Sequence, residues 1–293
     1  MPLYNWLKEV DDLEIILAKT AGFCFGVDRA LKKVYDNLGK GHIYTYGPII
    51  HNNQVVAELA EKGVQVIEDL DQLSSYPIGD VIVRSHGISE AEQKKIEASD
   101  FGMIEATCPY VKRIHKVVAA ASEKGREIII VGNEHHPEVA GIAGWSREKV
   151  YFIDCLEQVE TLPLYSDKTY EVVAQTTFNL TLYKEIVSAL QNENIHVIIN
   201  ETICSATEER QSEALEIAKK ADLMIVIGGK HSSNTRKLYE ICIRQCDATY
   251  HIESIEEFEL SALRGHSVIG ITAGASTPKK LIEEVISNVR NAK

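Results

Sequence analysis

The stretch "EATCPYVKRIHKVV" (residues 105–118) contains one cysteine, Cys108, followed by a proline and then by a helical pattern of apolar residues. Proline is favoured at the first position of a helix, so the cysteine falls where this helix begins. The same arrangement occurs in "AGFCFGVDRALKKV" around Cys24 and in "NETICSATEERQSEA" around Cys204. The chain therefore contains three units that each carry a cysteine before a helix.

The spacing that follows each cysteine also repeats. The interval from Cys108 to His136 equals that from Cys204 to Ser232, and the interval from Cys24 to His51 is shorter by a single position. In each unit a glycine stands four positions before the polar residue. Strand–loop–helix segments of similar length recur in many α/β proteins, and this alternative explanation stays open. The joint match of cysteine, glycine and polar residue favours a threefold repeat.

Short apolar runs such as "REIIIVG" (126–132) and "DLMIVIGG" (222–229) are typical of buried parallel strands, and helical spacing separates them. The sequence thus predicts an α/β fold of three pseudo-threefold-related units with small, mostly parallel sheets around a central cavity. The predicted units are residues 1–106, completed by the C-terminal tail 278–293, then residues 107–199 and 200–277. Ligands bind at the carboxyl ends of parallel strands, so we expect the site there.

Composition excludes several classes of function. The 293 residues include 31 Lys and Arg against 43 Asp and Glu, a formal net charge of -12. A protein that follows nucleic-acid phosphates is normally basic, so no nucleic-acid partner is expected. No apolar run reaches the roughly 18 residues of a membrane helix, and the acidic N-terminus does not resemble a secretory signal. We therefore expect a cytoplasmic protein with no membrane partner.

The three repeated cysteines are candidate metal ligands, because a helix N-terminus favours the thiolate that binds metal. Long stretches of chain separate Cys24 from Cys108 and Cys108 from Cys204, unlike the short spacings of zinc fingers and ribbons. Three converging thiolates would suit three irons of a cubane cluster and leave the fourth open. The alternative is that each is a small buried apolar residue. That alternative is preferred for the remaining cysteines, Cys155, Cys242 and Cys246.

Nine motifs occur in order between about residue 15 and residue 290: "GFCFGV", "GPIIHN", "SHG", "ATCP", "HPEV", "QTT", "TIC.AT..RQ", "SSN" and "TAGAS". Together they resemble the 4-hydroxy-3-methylbut-2-enyl diphosphate reductase family, the last enzymes of the non-mevalonate isoprenoid pathway. The resemblance implies reductive dehydroxylation of an allylic diphosphate to isopentenyl and dimethylallyl diphosphates. It also implies one [4Fe-4S] cluster per chain, with Cys24, Cys108 and Cys204 as ligands. Reduced ferredoxin or flavodoxin is the implied electron donor.

The resemblance also gives roles to polar residues at the predicted strand ends. Glu138 would supply protons to the leaving hydroxyl, and Thr176 would hold that hydroxyl. The residues implied to bind substrate, chiefly its diphosphate, are His51, His86, His136, Ser232, Ser233, Asn234 and Ser276. Each residue type has an ordinary structural explanation as well: Ser-Ser-Asn is a common helix cap, and a glutamate in the first turn balances the helix dipole.

Three other functions are compatible with parts of the pattern. A three-cysteine [4Fe-4S] dehydratase resembling quinolinate synthase would share the open iron but need no external electrons. A redox or iron sensor would hold the same cluster without a diphosphate site. A structural zinc protein would contain zinc instead of iron.

Overall fold

The structure is a computed structural model that describes residues 13–292. Its strands are β1 (Glu14–Leu17), β2 (His42–Tyr46), β3 (Val64–Ile67), β4 (Gly79–Val83), β5 (Gly102–Glu105), β6 (Glu127–Val131), β7 (Val150–Ile153), β8 (Thr169–Ala174), β9 (His196–Ile199), β10 (Leu223–Ile227), β11 (Thr249–Ile252) and β12 (Val268–Ala273). Its α-helices are α1 (Phe25–Tyr35), α2 (Asn53–Glu61), α3 (Glu90–Glu97), α4 (Pro109–Ser122), α5 (Pro137–Ala143), α6 (Leu180–Asn192), α7 (Ser205–Ala218), α8 (Ser233–Ile243) and α9 (Lys279–Asn291). The sequence suggests no function for residues 1–14, and residues 1–12 of this segment lie outside the described residues.

The strands of the described chain form three four-stranded sheets in which every neighbouring pair is parallel. The first sheet has the order β3-β2-β4-β5, the second β7-β6-β8-β9, and the third β11-β10-β12-β1. All three have the same order once strands are matched by their place in the repeat. The predicted α/β fold with three small parallel sheets is therefore confirmed.

Both ends of the described chain are associated with the third sheet, β1 as a strand and α9 as a covering helix. The prediction that the C-terminal tail completes the first unit is therefore wrong. Strand β1 pairs with β12, taking the place that β5 and β9 take in the other sheets. Helix α9 packs Ile282, Val285 and Val289 into the apolar core of the third sheet. The tail 278–293 was predicted to complete the first unit. Its helix α9 instead follows β12, in the same way that α3 follows β4 and α6 follows β8. Helix α9 therefore covers the third sheet.

Burial on both faces explains the continuous apolar runs. All residues of β6 and β10 are buried, as the predicted parallel strands require. Helix α1 covers its sheet through the apolar side formed by Val27, Ala30 and Val34. These cores hold the strands in register, and the loops after β2, β4, β6 and β8 begin from fixed positions.

The described chain divides into two compact units. The cysteine unit comprises residues 23–208 and contains the first and second sheets. The third-sheet unit comprises the residues up to Gly22 and from Glu209 onward. None of the helices in residues 13–292 is both long and apolar enough to cross a membrane.

Candidate active site

The three repeated cysteines stand at helix starts in the cysteine unit. Cys24 and Cys108 are the residues that precede the first turns of α1 and α4, and neither thiol caps its helix. Cys204 directly precedes α7, and its carbonyl oxygen accepts hydrogen bonds from Thr207 N at 2.9 Å and Glu208 N at 3.1 Å. Because the thiols of Cys24 and Cys108 are not used as caps, these side chains are available to bind a ligand.

A glycine allows two of the thiols to come close. A methyl group added to Gly26 would lie 2.7 Å from the Cys108 sulfur and 3.9 Å from the Cys24 sulfur. The first distance is shorter than a van der Waals contact. Gly26 is not among the site residues predicted from the sequence. Its signal is a glycine in the first turn of a helix, where alanine would be about 1 kcal/mol more favourable.

Without a bound metal, Cys108 and Cys204 favour the neutral thiol form. Burial raises the pKa of Cys108 to about 11, and the backbone N–H groups of Tyr110 and Val111 only partly oppose this. Burial also raises the pKa of Cys204. Negative charge on Cys24 and Glu138 raises both values further. The expectation that the helix N-termini favour thiolates is therefore wrong for these two residues, because desolvation outweighs the helix dipole.

Three predicted histidines come together in the same unit. The ring centroids of His51 and His86 are 4.3 Å apart, and His136 lies 5.5 Å from His51 and 5.7 Å from His86. They follow β2, β4 and β6, whose carboxyl ends lie at one edge of their parallel sheets. We define this group as the histidine triad.

His86 of the triad is buried and has an open hydrogen-bonding position. Burial lowers the pKa of His86 well below its usual value, and the neighbouring His51, His136 and Arg84 lower it further. His86 Nδ1 is buried and has no hydrogen-bond partner among the described residues. The low pKa keeps His86 neutral in the chain alone. A bound anion would stabilise the protonated imidazole and so raise this pKa.

Glu138 and Thr176 form a buried pair. Glu138 Oε1 accepts a hydrogen bond from Thr176 N at 2.6 Å, and Oε2 accepts one from Thr176 Oγ1 at 2.9 Å. Burial raises the pKa of Glu138 to about 7, although both hydrogen bonds from Thr176 lower it. The carboxyl group is thus able to hold a proton near neutral pH. It also belongs to the helix start of α5, where His136 Nδ1 accepts a bond from Glu138 N at 3.1 Å.

The remaining predicted residues lie in the third-sheet unit. Ser232, Ser233 and Asn234 begin α8 after β10, and Ser276 follows the neighbouring strand β12. Ser232 accepts a hydrogen bond from Thr235 N at 3.4 Å, which is the ordinary helix cap. All four predicted residues are buried.

Two buried polar groups in this unit have open hydrogen-bonding positions. Both amide atoms of Asn234 and the hydroxyl of Thr235 lack a hydrogen-bond partner among the described residues. A buried amide without a partner costs about 1–3 kcal/mol, so native proteins rarely leave one without a ligand or water. The loops after β10 and β12 are therefore suited to a polar ligand. Thr235 is not among the predicted site residues, although its position three residues after the cap Ser232 places it in the first turn of α8.

Residues 15–290 match the family described as LytB protein. The chain belongs to the LytB family. It is 45% identical over 285 residues to the 4-hydroxy-3-methylbut-2-enyl diphosphate reductase of Caldanaerobacter subterraneus subsp. tengcongensis, covering 96% of this chain and 98% of that protein. Identity to the reductase of the same name from Clostridioides difficile is 44%, with 95% and 100% covered.

Two solved structures of LytB-type reductases have the same fold. One, titled as (E)-4-hydroxy-3-methyl-but-2-enyl diphosphate reductase, the terminal enzyme of the non-mevalonate pathway, is 39% identical with a TM-score of 0.69, and 95% of this chain and 99% of that chain are covered. The other, titled as E-1-hydroxy-2-methyl-but-2-enyl-4-diphosphate reductase from Plasmodium falciparum, is 30% identical with a TM-score of 0.88, covering 94% and 87%. The family that the motifs predicted is confirmed.

Proposed function

We propose that this LytB-family chain is a 4-hydroxy-3-methylbut-2-enyl diphosphate reductase. It removes the allylic hydroxyl of (E)-4-hydroxy-3-methylbut-2-enyl diphosphate and yields isopentenyl and dimethylallyl diphosphates. The observation that carries the proposal is the buried Glu138–Thr176 pair, whose carboxylate charge acts on the thiols of Cys108 and Cys204. A proton source thus lies within electrostatic reach of candidate metal ligands.

The cluster part of the proposal rests on the three repeated cysteines. Cys24, Cys108 and Cys204 would hold one [4Fe-4S] cluster, since iron–sulfur clusters are bound by cysteine thiolates. Among residues 13–292, no three His, Cys, Asp or Glu side chains are grouped tightly enough for a single metal ion. We propose a multi-iron group because the three cysteines stand at three separate helix starts. When bound, such a cluster supplies electrons and a Lewis-acidic iron for the hydroxyl.

The binding of metal would also reverse the protonation of the thiols. Burial favours neutral thiols in the chain alone, and a bound cation favours thiolates. The helix N-termini at Cys24 and Cys108 then stabilise the resulting negative charge. Cluster insertion is therefore expected to release protons from Cys108 and Cys204.

Glu138 provides the acid for loss of water. With a pKa of about 7, a large fraction of this carboxyl group is protonated at neutral pH. Thr176 Oγ1 lies 2.9 Å from Glu138 Oε2 and can pass a proton between the carboxyl group and the substrate hydroxyl. The reaction takes two electrons and two protons, breaks the carbon–oxygen bond, forms a carbon–hydrogen bond and releases water.

The histidine triad, with ring centroids 4.3–5.7 Å apart, is one set of residues proposed to bind the diphosphate. Within it, the low pKa of His86 should rise when a multiply charged anion binds. Ser232, Ser233, Asn234 and Ser276 are the other residues proposed to bind substrate. Remote binding energy of this kind positions the reacting carbon.

The electrons come from outside the active site, and we propose reduced ferredoxin or flavodoxin as the donor and the cytoplasm as the compartment. Donor dependence separates this reaction from the dehydratase alternative, which needs no electrons. A cluster-based sensor would bind no allylic diphosphate, whereas open polar groups at His86 and Asn234 favour an anionic ligand.

The direct test is turnover under anaerobic conditions with reduced methyl viologen. We expect conversion of the hydroxylated diphosphate into both isoprenoid diphosphates, with one water and two oxidised viologens per product. Cys108→Ser should impair cluster assembly, whereas Cys155→Ser, outside the repeat, should not. If iron-loaded wild-type protein consumes substrate without reductant, the dehydratase alternative is correct. Full iron content and activity in Cys108→Ser would remove Cys108 from the ligand set.

A further inference from the structure

The helices that begin at Cys24 and Cys108 expose aromatic side chains beside the candidate cluster ligands. Phe25, adjacent to Cys24, is 65% exposed, and Tyr110, two positions after Cys108, is 39% exposed. Single exposed apolar residues are common, but these two stand one and two positions after candidate cluster ligands, which are themselves partly buried. Aromatic residues are enriched in protein interfaces.

These helix starts adjoin each other within the cysteine unit. The thiol of Cys108 lies against Gly26 in the first turn of α1. Arg29 of α1 donates hydrogen bonds to the carbonyl oxygens of Ala106, at 3.3 Å, and Thr107, at 3.0 Å. The hydroxyl of Tyr110 lies 3.2 Å from that of Ser205 at the start of α7. The exposed aromatic residues therefore lie close to all three cysteine-bearing helix starts.

The exposed side of α4 is cationic in an acidic protein. Helix α4 contains Lys112, Arg113 and Lys116 and no acidic residue, and all three side chains are exposed on the side opposite its apolar face. Lys112 pairs with Glu105 at 3.0 Å, so Arg113 and Lys116 supply the positive charge. Helix α1 adds little, because its exposed Lys32 pairs with Asp36 at 2.7 Å. The whole chain has a net charge of -12, so this surface contrasts with the rest. Helix α7 contributes the exposed acid Glu208, so the positive charge of this surface comes from α4.

We propose that the surface formed by Phe25, Tyr110, Arg113 and Lys116, here called the donor face, docks a small acidic one-electron carrier protein. This inference rests on the proposed function, because a reductive dehydroxylation needs two electrons from outside. Two reduced carriers are oxidised in succession for each hydroxyl lost as water. The aromatic residues form the contact nearest the thiols, and the cations steer and orient the negative partner.

The charge contribution predicts a specific change in kinetics. Arg113→Glu and Lys116→Glu each reverse one charge on the rim of the donor face, without touching the cysteines or the histidine triad. Rim charges act mainly on association, so the KM for the carrier should rise roughly 3- to 10-fold at low ionic strength. The difference should shrink in about 0.5 M salt, where the screening length is well below about 10 Å. The matched control is Lys184→Glu, an exposed lysine on α6.

The experiment uses the cluster-loaded full chain with two reductants and one direct binding measurement. Turnover is measured with a reduced recombinant acidic ferredoxin and with reduced methyl viologen, which needs no docking surface. Binding of the oxidised ferredoxin is measured by calorimetric titration without turnover. We expect both α4 variants to lose ferredoxin affinity and to retain wild-type rates with viologen, and Lys184→Glu to behave as wild type.

The outcomes separate the two proposals. Unchanged ferredoxin affinity and KM in both α4 variants would overturn the donor face. An equal loss in Lys184→Glu would also overturn it, because it would indicate an effect of overall charge. Failure of wild-type protein to reduce the substrate with viologen would overturn the proposed function instead. In that case the binding titration still decides whether α4 docks an acidic carrier.

Discussion

Replacement of Glu138 by Gln should change the pH dependence of stability. The pKa of Glu138 is about 7 in the folded chain, against an ordinary value of 4.5, because burial penalises the carboxylate. Between these values the folded state binds more protons than the unfolded state, so the stability of the wild type falls as pH rises from about 4.5 to 7. The difference between the two pKa values corresponds to about 3 kcal/mol.

Glutamine removes this loss and keeps the hydrogen bonds. Its oxygen can accept from Thr176 N, and its amide can donate to Thr176 Oγ1, which lie 2.6 and 2.9 Å from the present carboxylate oxygens. Glu138→Gln should therefore equal the wild type in stability near pH 5 and exceed it by up to about 3 kcal/mol near pH 8. Turnover should nevertheless fall by roughly 10²-fold or more, because the proton donor is lost.

The assay is urea-induced unfolding of metal-free wild type and variant at pH 5 and pH 8, together with turnover of the cluster-loaded proteins. Glu171→Gln is a suitable control, because Glu171 is also buried but is paired with Arg126 at 2.9 Å. Loss of that charge should destabilise the chain at both pH values. Parallel pH profiles for wild type and Glu138→Gln would refute the reasoning, as would wild-type turnover in the variant.

Three further predictions concern the ligands. Gly26→Ala should fold but bind less iron per chain after identical anaerobic reconstitution, because its methyl group would lie 2.7 Å from the Cys108 sulfur; full iron content would show that the thiol moves freely. Because the pKa of free His86 lies well below its usual value, diphosphate binding near pH 7 should take up protons. Calorimetry in buffers of different ionisation enthalpy measures this uptake, and identical heats would contradict it. Asn234→Leu should stabilise the chain by about 1–3 kcal/mol, by removing unpartnered buried amide atoms, and raise the substrate KM; destabilisation with an unchanged KM would indicate a structural role.

The repeat made most of the fold predictable. Apolar runs at constant spacing identify the parallel strands, and each cysteine marks the start of a helix. The prediction failed at the chain ends, because spacing after a cysteine does not reveal which sheet the strand before that cysteine joins. Strand β1 completes the third sheet from the opposite end of the described chain, through a long-range pairing that aligns Glu14 with Val268. Helices α3, α6 and α9 occupy the same position in the three repeats. This correspondence in the sequence would have assigned α9 to the third sheet.

The candidate site was less predictable in its electrostatics than in its residues. The motifs identify the cysteines and Glu138, but burial decides their protonation, and burial depends on packing. The pKa of Cys108 rises where the helix dipole alone predicts a decrease, and burial lowers the pKa of His86 well below its usual value. Gly26 was missed because its partner, the Cys108 thiol, lies far away in the sequence.

The central claim is that Cys24, Cys108 and Cys204 hold a cluster with an iron open to the substrate. The most direct measurement is iron and sulfide analysis with Mössbauer spectroscopy on anaerobically purified protein, with and without (E)-4-hydroxy-3-methylbut-2-enyl diphosphate. The account predicts about four irons per chain and a change in the signal of a single iron when the substrate is added. Zinc, or no metal in protein that is demonstrably folded, would contradict it.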